Sequence, residues 1–342
     1  MDVRARTRSQ HTVQSCNDLK QPVFLSMSAN EHYAAAGRAY SEQELFPIRE
    51  VSRLTGVNPV TLRAWERRYG LIQPTRTESG HRLYSAADVA EVRAVLGWLE
   101  RGVAVSKVGT LLARGQGAQG PSAAEPALAL DEYGQWRERL SAVVNRFDEL
   151  TLSRLYGEVF STYPLAVAFE QILMPTWEEA RLRQEGFGLA SEWAFLDHFL
   201  RGQVLKRLQF VQREAVDAHV LLCGVPGQCH ELELLVAALL LGSDRIWVQP
   251  LGKGQPLEEL GLVTERVQPH AVVLFSNHAP GGDAAKRFVK LALNLECPVL
   301  LAGEMSELVQ DQVVNSPVAC LGASGHLMQR RLLQYLAGHL DT

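Results

Sequence analysis

No run of apolar residues in this 342-residue chain is long enough to cross a membrane. The longest, LELLVAALLLG at 232–242, falls short of the roughly 18–20 residues a spanning helix needs, and its length suits a buried helix. A secretory leader is also missing, because Arg4, Arg6 and Arg8 are followed by polar residues and not by an apolar stretch. A cytoplasmic protein with no membrane partner is the expectation. Cysteine is scarce: Cys16, Cys223, Cys229, Cys297 and Cys320 are an odd count with no CxxC pair. That excludes a disulfide framework and a zinc site, and leaves buried free thiols. The chain has no GxSxG elbow, P-loop, HExxH or Rossmann glycine fingerprint, and LGKGQP is too short for a Walker loop. Asn277, His278 and Asp283 gather near one strand end, where loops are generally polar, so no catalytic residue is expected. Nor is there a basic excess: 34 basic residues against 38 acidic give a net charge of −4. What is present, 46% hydrophobic and 21% charged residues, suits two or three packed units.

Composition divides the chain. Residues 1–45 are polar and aperiodic and are expected to form a disordered tail, within which Met27 offers a second translation start. A compact segment follows at 46–113. RGQGAQGPSAAEPA then marks a linker at 114–129 through its Gly, Pro and Ala content. At 130–212 apolar residues such as Leu140, Val143, Val144 and Phe147 recur at helical spacing and predict a helical bundle of four helices. From 213 to 342 short β-rich runs (HVLLCG, RIWVQPLG, HAVVLFS, PVLLAGE) alternate with amphipathic stretches, the texture of a parallel sheet flanked by helices.

The net −4 is an average. Between residues 46 and 85 there are seven arginines against three glutamates, a local surplus of positive charge. The same segment is punctuated as a helix-turn-helix. PIREVSRLTGV makes a helix ending at Gly56, Asn58 and Pro59 start a second, and Gly70 stops it. On the second helix Thr61, Arg63, Arg67 and Arg68 are the polar positions, while Val60, Leu62, Trp65 and Tyr69 pack inward or lie against a sugar-phosphate backbone. Glu78-Ser79-Gly80 tips a hairpin flanked by Arg76, His81 and Arg82, a wing set to grip phosphates or the minor groove. Ser85 and Asp88 form a capping pair for a third helix, and VAVSKVGTLLAR supplies a fourth.

The segment from FPIREVSRLTGVNPVTLRAWERRYGL to VSKVGTLL strongly resembles the winged N-terminal domain of MerR-family transcription regulators. The resemblance implies a homodimer on a pseudo-palindromic promoter operator in double-stranded DNA, with RNA polymerase and a regulatory protein as further partners and a place at the nucleoid. It puts Thr61, Arg63, Arg67 and Arg68 at recognition-helix positions, and Tyr69, Arg76, His81 and Arg82 at backbone or wing positions. Metal-sensing members carry cysteines near the dimerisation helix; none occurs here between Cys16 and Cys223, so no metal is expected.

The C-terminal half resembles the cobalamin-binding module of light-sensing MerR-type repressors of carotenoid genes, and a divergent form of it in the MerR-like activator of curli and biofilm genes. The fold implied is multidomain: an all-α winged helix-turn-helix, a helical bundle, and an α/β flavodoxin-like (Rossmann-like) parallel sheet. In such modules Asp/Glu-x-His-x-x-Gly follows the first strand. Its histidine ligates cobalt, its acid orients the imidazole, and its glycine lets the cofactor's tail approach the backbone. Here the run is Gln228-Cys229-His230-Glu231-Leu232-Glu233, with the acid and the glycine both replaced. The Trp…Glu-His motif of the light sensors is also absent, Trp177 and His198 lying at other spacings. Ser276 ends the third β-rich run, Gly303 follows the fourth, and LGKGQP matches the loop after the second. His230 is then a cobalt ligand, a helix cap or ligand of something else, or a residual polar loop residue; His230 and Ser276 are the candidate cofactor residues. The expected protein is a MerR-type regulator whose degenerate cobalamin-binding-like domain senses a signal or binds a partner and requires no cofactor. Its alternative is a cobalamin-dependent light-sensing repressor, and a more remote one an enzyme on the α/β domain.

Overall fold

The computed structural model describes residues 45–101, 103, 105–113, 124–211 and 217–338. Apart from Leu45, the expected tail lies outside the described residues, as does 114–123 of the expected linker. Strand β1 (Leu45–Pro47) leads into helix α1 (Ile48–Thr55), which ends at Gly56. Asn58 caps α2 (Pro59–Ala64) by accepting the Val60 N–H at 2.8 Å, and Pro59 occupies the first position, where a missing N–H costs nothing. The helix continues as a wider π turn, Trp65–Tyr69, and stops at Gly70, whose φ of 60° is one that side chains disfavour. Strands β2 (Thr75–Arg76) and β3 (Arg82–Ser85) pair antiparallel, and β1 adds to the other side of β3. The head is therefore helical around a small three-stranded sheet, and not strictly all-α. Ser85 and Asp88 cap α3 (Ala86–Glu100) reciprocally, Asp88 N–H donating to Ser85 Oγ at 3.1 Å and Ser85 N–H to Asp88 Oδ2 at 2.6 Å. Helix α4 (Val105–Ala113) follows.

Helix α5 (Ala124–Val144) begins inside the stretch expected to be linker. Ala, Leu and Glu favour helix there, and Pro126 falls in the first turn, where its lack of an N–H is harmless. Next come α6 (Glu149–Thr162), α7 (Leu165–Val167), a π turn running to Leu173, α8 (Met174–Leu182) and α9 (Leu189–Val211). Because α7, the π turn and α8 run end to end, the segment forms four rods, as the spacing predicts.

The last part alternates β4 (Ala218–Gly224), α10 (Glu231–Leu241), β5 (Ile246–Pro250), α11 (Leu260–Val267), β6 (Ala271–Phe275), α12 (Ala284–Asn294), β7 (Val299–Ala302), α13 (Glu304–Val309), β8 (Val318–Cys320) and α14 (Gly325–Leu336). All strands are parallel in the order β5-β4-β6-β7-β8, the flavodoxin-like winding, whose ligand crevice lies at the carboxyl ends of the strands where the winding reverses. β8 is too short to register as an apolar run in the sequence. Both sheet faces are covered. Val220 and Leu222 face a core shared with the bundle and the head, and Leu221 and Cys223 face a second core with Leu260 and Phe288. Helix α10 is buried on every side between β5, α9 and α14, which explains why the longest apolar run of the chain has no polar face. No helix among the described residues is long and apolar enough to cross a membrane. Of the four cysteines described, all free, only Cys223 is fully buried; burial pushes both the Cys223 and Cys229 thiols up to about 12, so they stay protonated.

Candidate functional site

The second helix of the head presents two stripes. Val60, Arg63 and Arg67 share one face at helical spacing, and all three are exposed, as is Arg68. Arg63, Arg67 and Arg68 form no ion pair among the described residues. The other stripe, at intervals of four, is Thr61, Trp65 and Tyr69, and it faces the bundle. Thr61 and Trp65 are fully buried. Thr61 Oγ1 donates to the Phe160 carbonyl at 3.1 Å, and Trp65 Nε1 donates to the Thr162 carbonyl at 3.0 Å. Both acceptors belong to the last turn of α6, whose carbonyls have no donor within their own helix. The half-buried Tyr69 phenol reaches Thr162 as well, and burial, with Glu132 nearby, pushes it up. Thr61 thus departs from its expected place: its hydroxyl caps the bundle instead of joining the outward arginines. Glu132 reinforces the same corner, accepting from Tyr163 and, at 2.9 Å, from Ser106 of α4.

The wing is tied down by a residue the sequence reading counted only as a negative charge. Glu66 accepts from Arg76 at 2.8 Å and from Arg82, joining both strands of the hairpin to the recognition helix. Arg82 is thereby mostly enclosed, Arg76 stays half exposed, and His81 is exposed at the tip. Burial pushes the Glu66 carboxyl up, but the hydrogen bonds from Arg82 and Arg76 outweigh it and hold the carboxyl below its ordinary range. A carboxyl depressed in the folded state stabilises above its ordinary value, and that stability is lost as pH falls through the lowered one. Replacing Glu66 by Gln is expected to cost about 1–3 kcal/mol and to flatten the acid limb of stability. Urea unfolding of both proteins between neutral pH and about pH 3 measures this.

At the other end of the body, the crevice of the sheet is filled by its own side chains. His230 precedes α10 and its ring stands edge-on to the buried Trp177 of α8, 5.4 Å between centroids, with the His278 ring at 6.1 Å. Trp177 Nε1 donates to Asp197 at 3.0 Å, and Arg201 joins Asp197 to Glu231 at 2.8 and 2.9 Å, fastening α9 to α10. Glu233, only 7% exposed, accepts from the His230 N–H at 2.8 Å and from Asn277 Nδ2 at 3.2 Å. Ser276 Oγ is equally committed, donating to the Gln228 carbonyl at 2.6 Å and accepting from the His278 N–H at 3.0 Å. The buried Gln228 Oε1 has no partner among the described residues, where an acid would accept from the imidazole. Gly303 shows how tight the crevice floor is, for an added Cβ would lie 2.4 Å from the Ser276 carbonyl. These residues do not fit a corrinoid's tail: a carboxylate with two hydrogen bonds of its own fills the place the module gives to glycine. The sequence reading set Trp177 aside on spacing, and only the fold brings it against His230.

The model of the MerR HTH family regulatory protein matches residues 46–115. The HTH-type transcriptional repressor CarH of Myxococcus xanthus is 31% identical over 238 residues, 68% of this chain and 79% of that one. The HTH-type transcriptional regulator MlrA of Escherichia coli is 54% identical over 68 residues, 20% of this chain and 28% of that one. Among solved structures, the monomethylamine corrinoid protein of Methanosarcina barkeri is similar with a TM-score of 0.43 and 10% identity, over 58% of this chain and 96% of that one. The identity to CarH extends well past the head, through most of the body. With the winged head and the five-stranded parallel sheet, it places this protein in the MerR family, as a transcriptional regulator carrying a cobalamin-binding-like domain.

Proposed function

We propose that the protein binds a promoter operator as a homodimer, reads it through the Arg63 and Arg67 face, grips flanking phosphates with Arg68, Arg76 and His81, and works without cobalamin. The observation that carries the DNA reading is the outward arginine stripe, free of ion pairs among the described residues while the opposite stripe is spent on the bundle. Arginine suits this role because its planar fork meets a guanine edge or a phosphate with two hydrogen bonds. Tyr69 and Arg82 support this face from behind, and Thr61 holds it to the body. The divisions at 46–113, 130–212 and 213–342 are assigned as head, bundle and sensory or partner-binding domain, with RNA polymerase and a regulatory protein as candidate partners. No catalytic role is assigned.

A second reading, a cobalamin-dependent light-sensing repressor, is favoured by the identity to CarH and by His230 standing at the crevice. Purified protein mixed with adenosylcobalamin in the dark and desalted separates the two. No corrinoid absorbance is expected to co-elute; stoichiometric absorbance would overturn the cofactor-free reading.

A further inference from the structure

Val60 is the one residue of the outward stripe that carries no charge. It is a β-branched aliphatic side chain with 51% of its surface exposed, in the first turn of the recognition helix and on the same face as Arg63 and Arg67. Its direction is fixed twice over. Asn58 accepts its backbone N–H at 2.8 Å, and one position further on Thr61 is hydrogen-bonded to Phe160 on the opposite side. A valine has few rotamers to lose on burial, and nothing in the head covers it.

We infer that Val60 reads a thymine: its methyls pack on the C5-methyl of a T·A pair next to a base pair contacted by Arg63. The chemistry is selective because the thymine methyl is the one apolar group the bases expose in the major groove, and the N-terminal residues of a recognition helix are those that reach base edges. A cytosine there would set its N4 amino donor against a side chain that cannot accept. The inference rests on the DNA-reading proposal above and adds to it a residue that a count of polar positions leaves out.

The test uses the full chain. A preferred duplex is first recovered by in vitro selection from a random library. Each thymine in it is then replaced singly by deoxyuridine, which keeps the pairing and removes only the methyl. At one thymine, or one in each half of a two-fold site, the exchange should weaken binding by wild type about fourfold, the scale of one buried methyl at ~0.8 kcal/mol. Val60→Ala should bind the thymine duplex more weakly by a similar factor and be indifferent to the exchange at that position. Alanine favours helix more than valine, so the variant folds; an unchanged melting temperature checks it. If wild type is indifferent to deoxyuridine everywhere, or Val60→Ala loses as much as wild type at every position, the inference is overturned while the DNA-reading proposal stands. If selection enriches no sequence, both fall together.

Discussion

Arg63→Ala should remove sequence-specific DNA binding and leave the protein folded. Arg63 is exposed on the outward face and makes no ion pair among the described residues, so its loss breaks nothing inside the head. A bidentate arginine–guanine contact is worth about 1–3 kcal/mol of discrimination, roughly 10- to 150-fold in affinity, at each half of an operator. On a two-fold site the loss doubles in free energy and leaves little beyond non-specific attraction. The form of the loss is as informative as its size. A base-reading arginine lowers affinity for the preferred duplex towards that for random DNA and moves the salt slope little. A phosphate-binding one, the role proposed for Arg68, weakens both duplexes alike and lowers the slope by about one. Fluorescence anisotropy on selected and random duplexes across a salt series separates the cases. Unchanged affinity and slope in Arg63→Ala would remove Arg63 from the interface.

What the sequence discloses about this head is what local rules determine. Asn58 with Pro59, Gly70, and Ser85 with Asp88 each act within a turn of themselves, and each stands where their spacing puts it. The β-rich runs are legible for the same reason, since strands buried on both faces are near-continuous apolar stretches. Partners distant in sequence are not legible. Thr61 is polar and mid-helix, which argues for the outside until the end of α6 arrives with an unsatisfied carbonyl. Glu66 looks like a charge subtracted from a basic helix, and only the fold of the hairpin brings Arg76 and Arg82 to it. Trp177 and His230 meet across the body although no spacing rule links α8 to the start of α10. The substitutions at Gln228 and Glu233 were visible as departures from a motif. That Glu233 would be buried with two hydrogen bonds of its own was not.

Trp65→Ala is expected to be the most destabilising of these changes. The indole is fully buried in the core that the head shares with the bundle, and large-to-small changes at such sites cost about 3–5 kcal/mol. The alanine variant also leaves the Thr162 carbonyl without its donor, so it cannot tell packing from capping. Trp65→Phe can: it keeps most of the ring and deletes the N–H, and should cost about 1–3 kcal/mol, the scale of a buried acceptor left unsatisfied. Thr61→Val removes the neighbouring bond to Phe160 at nearly constant volume and should cost about 1 kcal/mol. Both donors serve the same helix end, so once one bond is gone the other carbonyl can reach water, and the double variant should cost less than the sum. Urea unfolding of the four proteins closes the cycle; strict additivity would mean that the two bonds act independently. The same variants test where the face that reads DNA ends. Thr61→Val should leave affinity for the selected duplex within about twofold, where Arg63→Ala abolishes specificity, because a hydroxyl spent on the bundle has nothing left to offer a base. A large loss in Thr61→Val with unchanged stability would return Thr61 to the recognition surface and turn the bundle contact into one that opens on binding.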